Sequence, residues 1–209
     1  MKTTTNIIYS PCALLALACF ALPPTALAVV PPPDGAYPGG DTAEGNFALL
    51  NLTTGRFNTA VGLFSLATNT DGDANTGVGA RALRNNTEGI YNTAVGVDAL
   101  NRNRVGQLNT AVGAQALFAN TIGDSNTAVG AEALRCNTTG THNTAVGVNA
   151  LPNNNAESNT GVANGVLFNN TTGSQKHGHR LAGTRCEHHR SWQYRGGLVC
   201  RTGHRHRQF

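Results

Sequence analysis

The sequence predicts an all-β fold, a β-solenoid of eight stacked coils of seventeen residues each. Three observations predict it. Asn58-Thr59-Ala60-Val61-Gly62 returns at Asn75, Asn92, Asn109, Asn126 and Asn143, and once more, one residue early, at Asn159; Asp41-Thr42-Ala43-Glu44-Gly45 is a weaker first copy. A fixed short period marks an array of like structural units. Seventeen residues are also too few for a helix–turn–helix unit, which takes more than about thirty. Finally, glycine recurs twice in most copies, and a glycine inside a helix costs about 1 kcal/mol relative to alanine.

Coil positions are counted from the opening Asn as position 1. The first strand is expected on Thr-Ala-Val at positions 2 to 4, with Val on one face, Ala on the other and Thr at the edge. A second strand is expected on the Ala-Leu pair at positions 8 and 9, where Leu is invariant from Leu49 to Leu167. Asn-Thr-x-Gly at positions 12 to 15, as in Asn86-Thr87-Glu88-Gly89, reads as a turn. The glycines at positions 5 and 15 are expected in turn conformations that a Cβ disfavours.

Val at position 4 and Leu at position 9 are expected to point into the coil. The predicted core is therefore Val61, Leu66, Val78, Leu83, Val95, Leu100, Val112, Leu117, Val129, Leu134, Val146, Leu151, Val162 and Leu167. One Val and one Leu contribute about 1.5–3 kcal/mol each. Ordering each residue of a coil costs roughly 1–2 kcal/mol. So thin a core implies that the Ala-rich face is buried against other copies, and that Asn ladders at positions 1 and 12 satisfy the turns. A monomeric solenoid is the alternative.

The ends differ from the array. Residues 1–28 read as a secretory signal: Lys2, an apolar stretch from Cys12 to Leu22, and Ala26-Leu27-Ala28 before a cleavage site. The stretch is too short for an ordinary membrane span, and no transmembrane anchor is read in this chain. Residues 29–40 form a Pro/Gly linker and 41–175 the array. Residues 176–209 form a basic tail, expected to be disordered, with eight Lys and Arg, six His and one acid, Glu187. Residues 1–175 balance at −3 and the tail adds +7, so the net +4 of the chain comes from the tail.

A nucleic-acid-binding role for the tail is not adopted. Neither is a metal site built from Cys186, His188, His189, Cys200, His204 and His206, because the spacing lacks a Cys-x-x-Cys or His-x3-His pair. The genetic code offers another origin for it. Read one base out of frame, the codon spanning Lys176 and His177 can encode only Asn or Ser, and the next only Thr or Met. From Gly183 the same frame permits Ala-Leu, from Glu187 Asn-Thr-Thr-Gly, and from Gln193 Asn-Thr. These are the repeat's own words at the required offsets. The tail is thus expected to be out-of-frame sequence, following an insertion or loss in the codons for Ser174 to Lys176.

No catalytic constellation, cofactor motif or metal-ligand set is found, and no enzyme is expected. His142 is a lone turn residue, and the acids do not recur at one coil position. The sequons at Asn51, Asn137 and Asn170 follow from the turn motif. Cys136 lies at a variable position and is read as a spectator thiol, with pairing between chains as the alternative.

The array resembles the Hep-Hag repeats of YadA-like heads in trimeric autotransporter adhesins. The shared pattern is Asn-(Thr/Ser)-(Ala/Val)-(Val/Ile)-Gly, then a small residue and Leu, then Asn-Thr-x-Gly, over residues 41–173. The usual head repeat is shorter than the one here, and long arrays of bacterial surface and tail-fibre-like proteins are more similar. The resemblance implies a left-handed parallel β-roll, three chains about one axis, and a cell-surface adhesin with a host-surface, matrix or glycan ligand. Ligand contacts are expected at the variable positions 6, 7, 10 and 11, such as Leu63-Phe64, Arg81, Val97-Asp98, Gln115, Glu132 and Val148-Asn149; no specific ligand-binding residue is assigned. A fibre spacer, a non-functional frameshifted remnant and an ice- or crystal-surface binder are the alternatives. Against the last stands the expectation that Val, beside the stacked Thr, is buried.

Overall fold

The computed structural model describes residues 39–181, 184–189 and 199–201, with side chains through residue 179. The signal, most of the linker, and His204 and His206 lie outside that set; of the tail's other candidate ligands, Cys186, His188, His189 and Cys200, only the backbone is described. All described secondary structure is β, with no helix, in one sheet of eleven strands in sequence order. Strands β1 (Thr42–Glu44), β2 (Thr59–Val61), β3 (Thr76–Val78), β4 (Thr93–Val95), β5 (Thr110–Val112), β6 (Thr127–Val129), β7 (Thr144–Val146) and β8 (Thr160–Val162) are parallel neighbours in register, Thr on Thr and Val on Val from β2 to β8. The chain is a β-solenoid of about eight turns.

Each coil has one strand, not two. The Ala-Leu segment is a series of turns, and its Leu sits in the left-handed region, from φ 48 at Leu49 and Leu100 to φ 50 at Leu83. That conformation cannot propagate a strand. Hydrogen bonds to the next coil hold it, as Leu83 N donates to the Ala99 carbonyl at 3.0 Å. Position 7, from Phe47 to Asn149, and position 17, from Phe57 to Gln175, are also left-handed without glycine. For an L-residue each costs about 1–2 kcal/mol, so inter-coil bonding outweighs local preference here.

The core differs from the sequence expectation at one of its two positions. Leu66, Leu83, Leu100, Leu117, Leu134 and Leu151 are fully buried and Leu167 nearly so. Val61, Val95, Val112, Val129, Val146 and Val162 instead face outward, 36–47% exposed, and Val78 is half-buried. The inward residue of the strand is Ala at position 3; Ala60, Ala94, Ala111, Ala128 and Ala145 are fully buried. The reason is width. A three-residue strand can turn only its middle side chain inward, and the space there is small. The Ala-rich faces are thus inside the coil, where they cannot pack on another copy.

The same narrowness couples positions 3 and 8. Position 8 is Ser65 in the second coil, and position 3 of the next is Gly77, whose carbonyl accepts from Ser65 Oγ at 2.8 Å. A Cβ on Gly77 would lie 2.6 Å from that Oγ. Position 8 is Val166 in the eighth coil, and both Gly161 and Gly178, on either side of it, lack the Cβ that would come within 2.9 and 2.7 Å of its methyls. A larger residue at position 8 goes with glycine at position 3.

Two buried asparagine ladders close the turns. At position 1, Asn75 N and Nδ2 donate to Asn58 Oδ1 at 3.0 and 3.2 Å. At position 12, Asn86 Nδ2 donates to Asn69 Oδ1 at 2.7 Å. Both converge on one acceptor, as the Gly89 carbonyl receives Asn75 Nδ2 at 2.7 Å and Asn86 Nδ2 at 2.9 Å. The two glycine positions have different causes. At position 5, φ runs from 121 to 133 over Gly45 to Gly147. At position 15 the constraint is steric: a Cβ on Gly89 would lie 2.4 Å from Asn86 Oδ1 and 2.6 Å from the Gly106 carbonyl oxygen.

The seventh coil, residues 143–158, is one residue short in its turn. Asn154 Nδ2 reaches its turn carbonyl, now Ala156, at 3.0 Å. No donor reaches Asn137 Oδ1, which is buried without a partner. Asn159 Nδ2 turns aside to Asn154 Oδ1 at 3.0 Å. The position-12 ladder breaks here, while the position-1 ladder keeps its backbone rung, Asn159 N to Asn143 Oδ1 at 3.0 Å.

Beyond the array, β9 (Lys176–Leu181) pairs parallel with β8, His177 on Thr160 and Gly178 on Gly161, and Lys176 N donates to Asn159 Oδ1 at 2.9 Å. Antiparallel β10 (Thr184–His189) and β11 (Val199–Arg201) follow. The described stretches of the tail are thus strands; the rest lies outside the described residues.

Two predictions follow from this packing. Gly77→Ala alone is expected to destabilise the array by about 1–3 kcal/mol through overpacking. Adding Ser65→Ala should recover most of that loss; a denaturant double-mutant cycle with no recovery would refute the coupling. Inserting a threonine between Asn155 and Ala156, together with Ala156→Gly at what then becomes position 15, should restore the period and relieve a buried orphan worth about 1–3 kcal/mol. Hydrogen exchange should then slow over residues 143–175, which in the natural chain exchange ahead of the central coils.

Candidate interaction surface

Among the described residues no group of three or more His, Cys, Asp or Glu could hold a metal ion. Cys136 is an exposed free thiol, and His142 is exposed at a left-handed corner. The surface is organised by coil position instead.

Because Ala points inward at position 3, Thr at position 2 and Val at position 4 share the outward face of the sheet. Thr59 and its equivalents are half-buried and stack in register. Positions 2, 4 and 6 of coils two to eight contain no charged residue: the first is always Thr, the second always Val, and the third is Leu63, Ala80, Val97, Ala114, Ala131, Val148 or Asn164. Position 17, just before the buried Asn, adds Phe57, Tyr91 and Leu108, 58–68% exposed. Of the seventeen exposed large hydrophobics among the described residues, twelve lie at positions 4, 6 and 17, on or bordering this one strip. At its ends position 4 carries Glu44 in the first coil and His179 in β9.

The rest of the surface is mixed. Phe47 and Phe64 stack with ring centroids 4.7 Å apart, and the Arg84 guanidinium lies 5.3 Å from the Phe64 centroid. Arg102 lies 5.0 Å from the Phe118 centroid. Arg81 grips Asp98 in the next coil with two bonds, Nε to Oδ1 at 2.7 Å and a terminal nitrogen to Oδ2 at 2.6 Å, and Asn101 Nδ2 adds a third at 3.0 Å. Hydrogen bonding from Arg81 holds the Asp98 carboxyl below its ordinary range, against the opposing effect of burial. Hydrogen bonds from Thr54 and then Thr53 do the same for Asp71.

The variable positions marked by the sequence are only partly accessible. Leu63, Arg81, Val97 and Val148 are exposed, Phe64, Gln115, Glu132 and Asn149 half-buried, and Asp98 buried. The sequence reading missed position 17, whose residues are as varied and more exposed. The signal was present in Phe57, Tyr91, Leu108 and His142, bulky residues next to an invariant Asn.

No family model matches this chain, and neither a curated protein nor a solved structure matches it.

The Asp98 site gives a pH prediction. A carboxyl whose folded pKa is lowered adds stability above its unfolded value, about 4, and loses it as pH falls through the folded value. The difference in Tm between the natural chain and Asp98→Asn should therefore be constant from pH 7 to about 5 and shrink at lower pH. A difference that does not shrink as pH falls below the ordinary carboxylate range would show that the Arg81 pair contributes nothing.

Proposed function

We propose that this chain is an exported, adhesin-like surface repeat protein, forming the head or shaft of a homotrimeric fibre and binding through a repetitive surface, without enzymatic activity. The observation that carries this reading is the division of labour within the coil. Buried positions 1, 9 and 12 are nearly constant through the array, while positions 11, 14 and 16, exposed or half-buried, change from coil to coil. An invariant scaffold that displays variable side chains on an extended face is how repeat proteins recognise partners. The leader ending at Ala28 supports export, and the resemblance to YadA-like heads, in a left-handed β-roll, supports cell-surface adhesion to a host-surface, matrix or glycan ligand.

A second reading gains a specific observation. Val lies outward beside Thr, which removes the objection to a crystal- or ice-surface binder, and the two residue types form a regular uncharged lattice along the sheet. A fibre spacer that binds nothing is the third.

One set of measurements separates them. Saturable binding of the folded protein to immobilised glycans or matrix proteins is expected, falling when one unit, residues 92–108, is deleted in frame. Folded protein that binds no such surface overturns the adhesin reading in favour of a spacer. Thermal hysteresis in freezing assays overturns it in favour of the crystal-surface reading.

A further inference from the structure

We infer that the uncharged Thr–Val strip is a self-association face, whose occupant is the same strip of a second copy of this chain. The inference rests on the assembled-fibre reading and adds which surface does the assembling.

Three observations carry it. The first is size. Coils repeat at about 4.8 Å along the sheet and residues at about 3.3 Å along each strand, so seven coils bounded by positions 17 and 6 cover roughly 500–700 Å². That footprint, part of it Thr hydroxyl, stands at the upper end of the roughly 300–600 Å² of the largest surface patch on a typical soluble monomer, a patch that is often functional. It also approaches the roughly 800 Å² each partner gives to a stable interface.

The second is charge. Positions 2, 4 and 6 are free of charge across coils two to eight, whereas the turn positions 13 to 16 carry Asp71, Asp73, Glu88, Arg104, Asp124 and Glu157. An apolar centre with charge confined to its margins is how self-complementary interfaces are composed. A surface facing only water has no reason to exclude charge from one face of every coil.

The third is regularity. Thr stands on Thr and Val on Val from β2 to β8. β-Branched side chains also lose little rotamer freedom when covered. Like strips can therefore mate over their whole length at small entropic cost. The strip is an assembly face because the coil interior is too narrow for Val; the residue left outside needs another cover.

Substitution in the middle coil tests this. Position 4 accepts Glu44 in the first coil and His179 in β9, so Val112→Glu is compatible with the coil. Ile122→Glu, at an exposed apolar position off the strip, is the matched control. The mass in solution of the full chain is measured by light scattering, with circular dichroism on each sample. The natural chain and Ile122→Glu are expected as multiples of the 21.7 kDa chain mass, and Val112→Glu at that single-chain mass with an unchanged spectrum. If Val112→Glu unfolds, the milder Val112→Thr takes its place, with a dissociation constant expected to rise at least tenfold. Assembly that survives on the strip variants, or is lost equally on Ile122→Glu, overturns the assignment while leaving a multimeric fibre in place. A natural chain that is a single-chain species at every concentration overturns both.

Discussion

The array depends on one acceptor per coil, the carbonyl of the glycine at position 15. Two asparagine side chains from different parts of the coil meet there, and each also bonds to its counterpart in the neighbouring coil. At Gly106 the donors are Asn92 Nδ2 at 2.8 Å and Asn103 Nδ2 at 2.9 Å. All three groups are buried, so each lost partner would leave a polar atom costing about 1–3 kcal/mol. This convergence ties a coil to itself and to the next, and so sets the period. It also explains glycine at that position: any side chain would occupy the space of Asn Oδ1 and of the next carbonyl.

The interior between the strand and the Leu wall is the second constraint, and it follows from the first. With the turns drawn in by the ladders, the coil is wide enough for Leu against Ala and little more. Ser65 with Gly77, and Val166 with Gly161 and Gly178, are local adjustments to a fixed width. So is the placement of Val outside. The tail enters the sheet on the same terms, since Gly178 falls at position 3 beneath Val166 and fits where a side chain would not.

A scaffold so constrained leaves function to its outer residues. Two kinds of surface result: a uniform Thr–Val face, and variable corners carrying Phe, Arg and Asp residues that differ from coil to coil. On the proposed reading, assembly through the first leaves the second free to meet a ligand. The seventh coil, with its missing turn residue and the orphaned Asn137 oxygen, is where such a rod would open first.

The sequence by itself determined the period, the β class, the buried Leu column, the two Asn ladders and the glycine positions. Each is a property of one coil repeated in register, so it is written in every copy. Tertiary structure decided which way Val faces, that the Ala-Leu segment is turn and not strand, and that positions 7, 9 and 17 are left-handed. No residue type announces these. Leu, Phe and Tyr ordinarily avoid positive φ, and Val is ordinarily buried, but hydrogen bonds to the neighbouring coil and the width of the interior override both preferences. The candidate surface was legible in part for the same reason. The variable positions could be read from the alignment of copies, whereas the strip appears only once Ala, and not Val, is seen to fill the core.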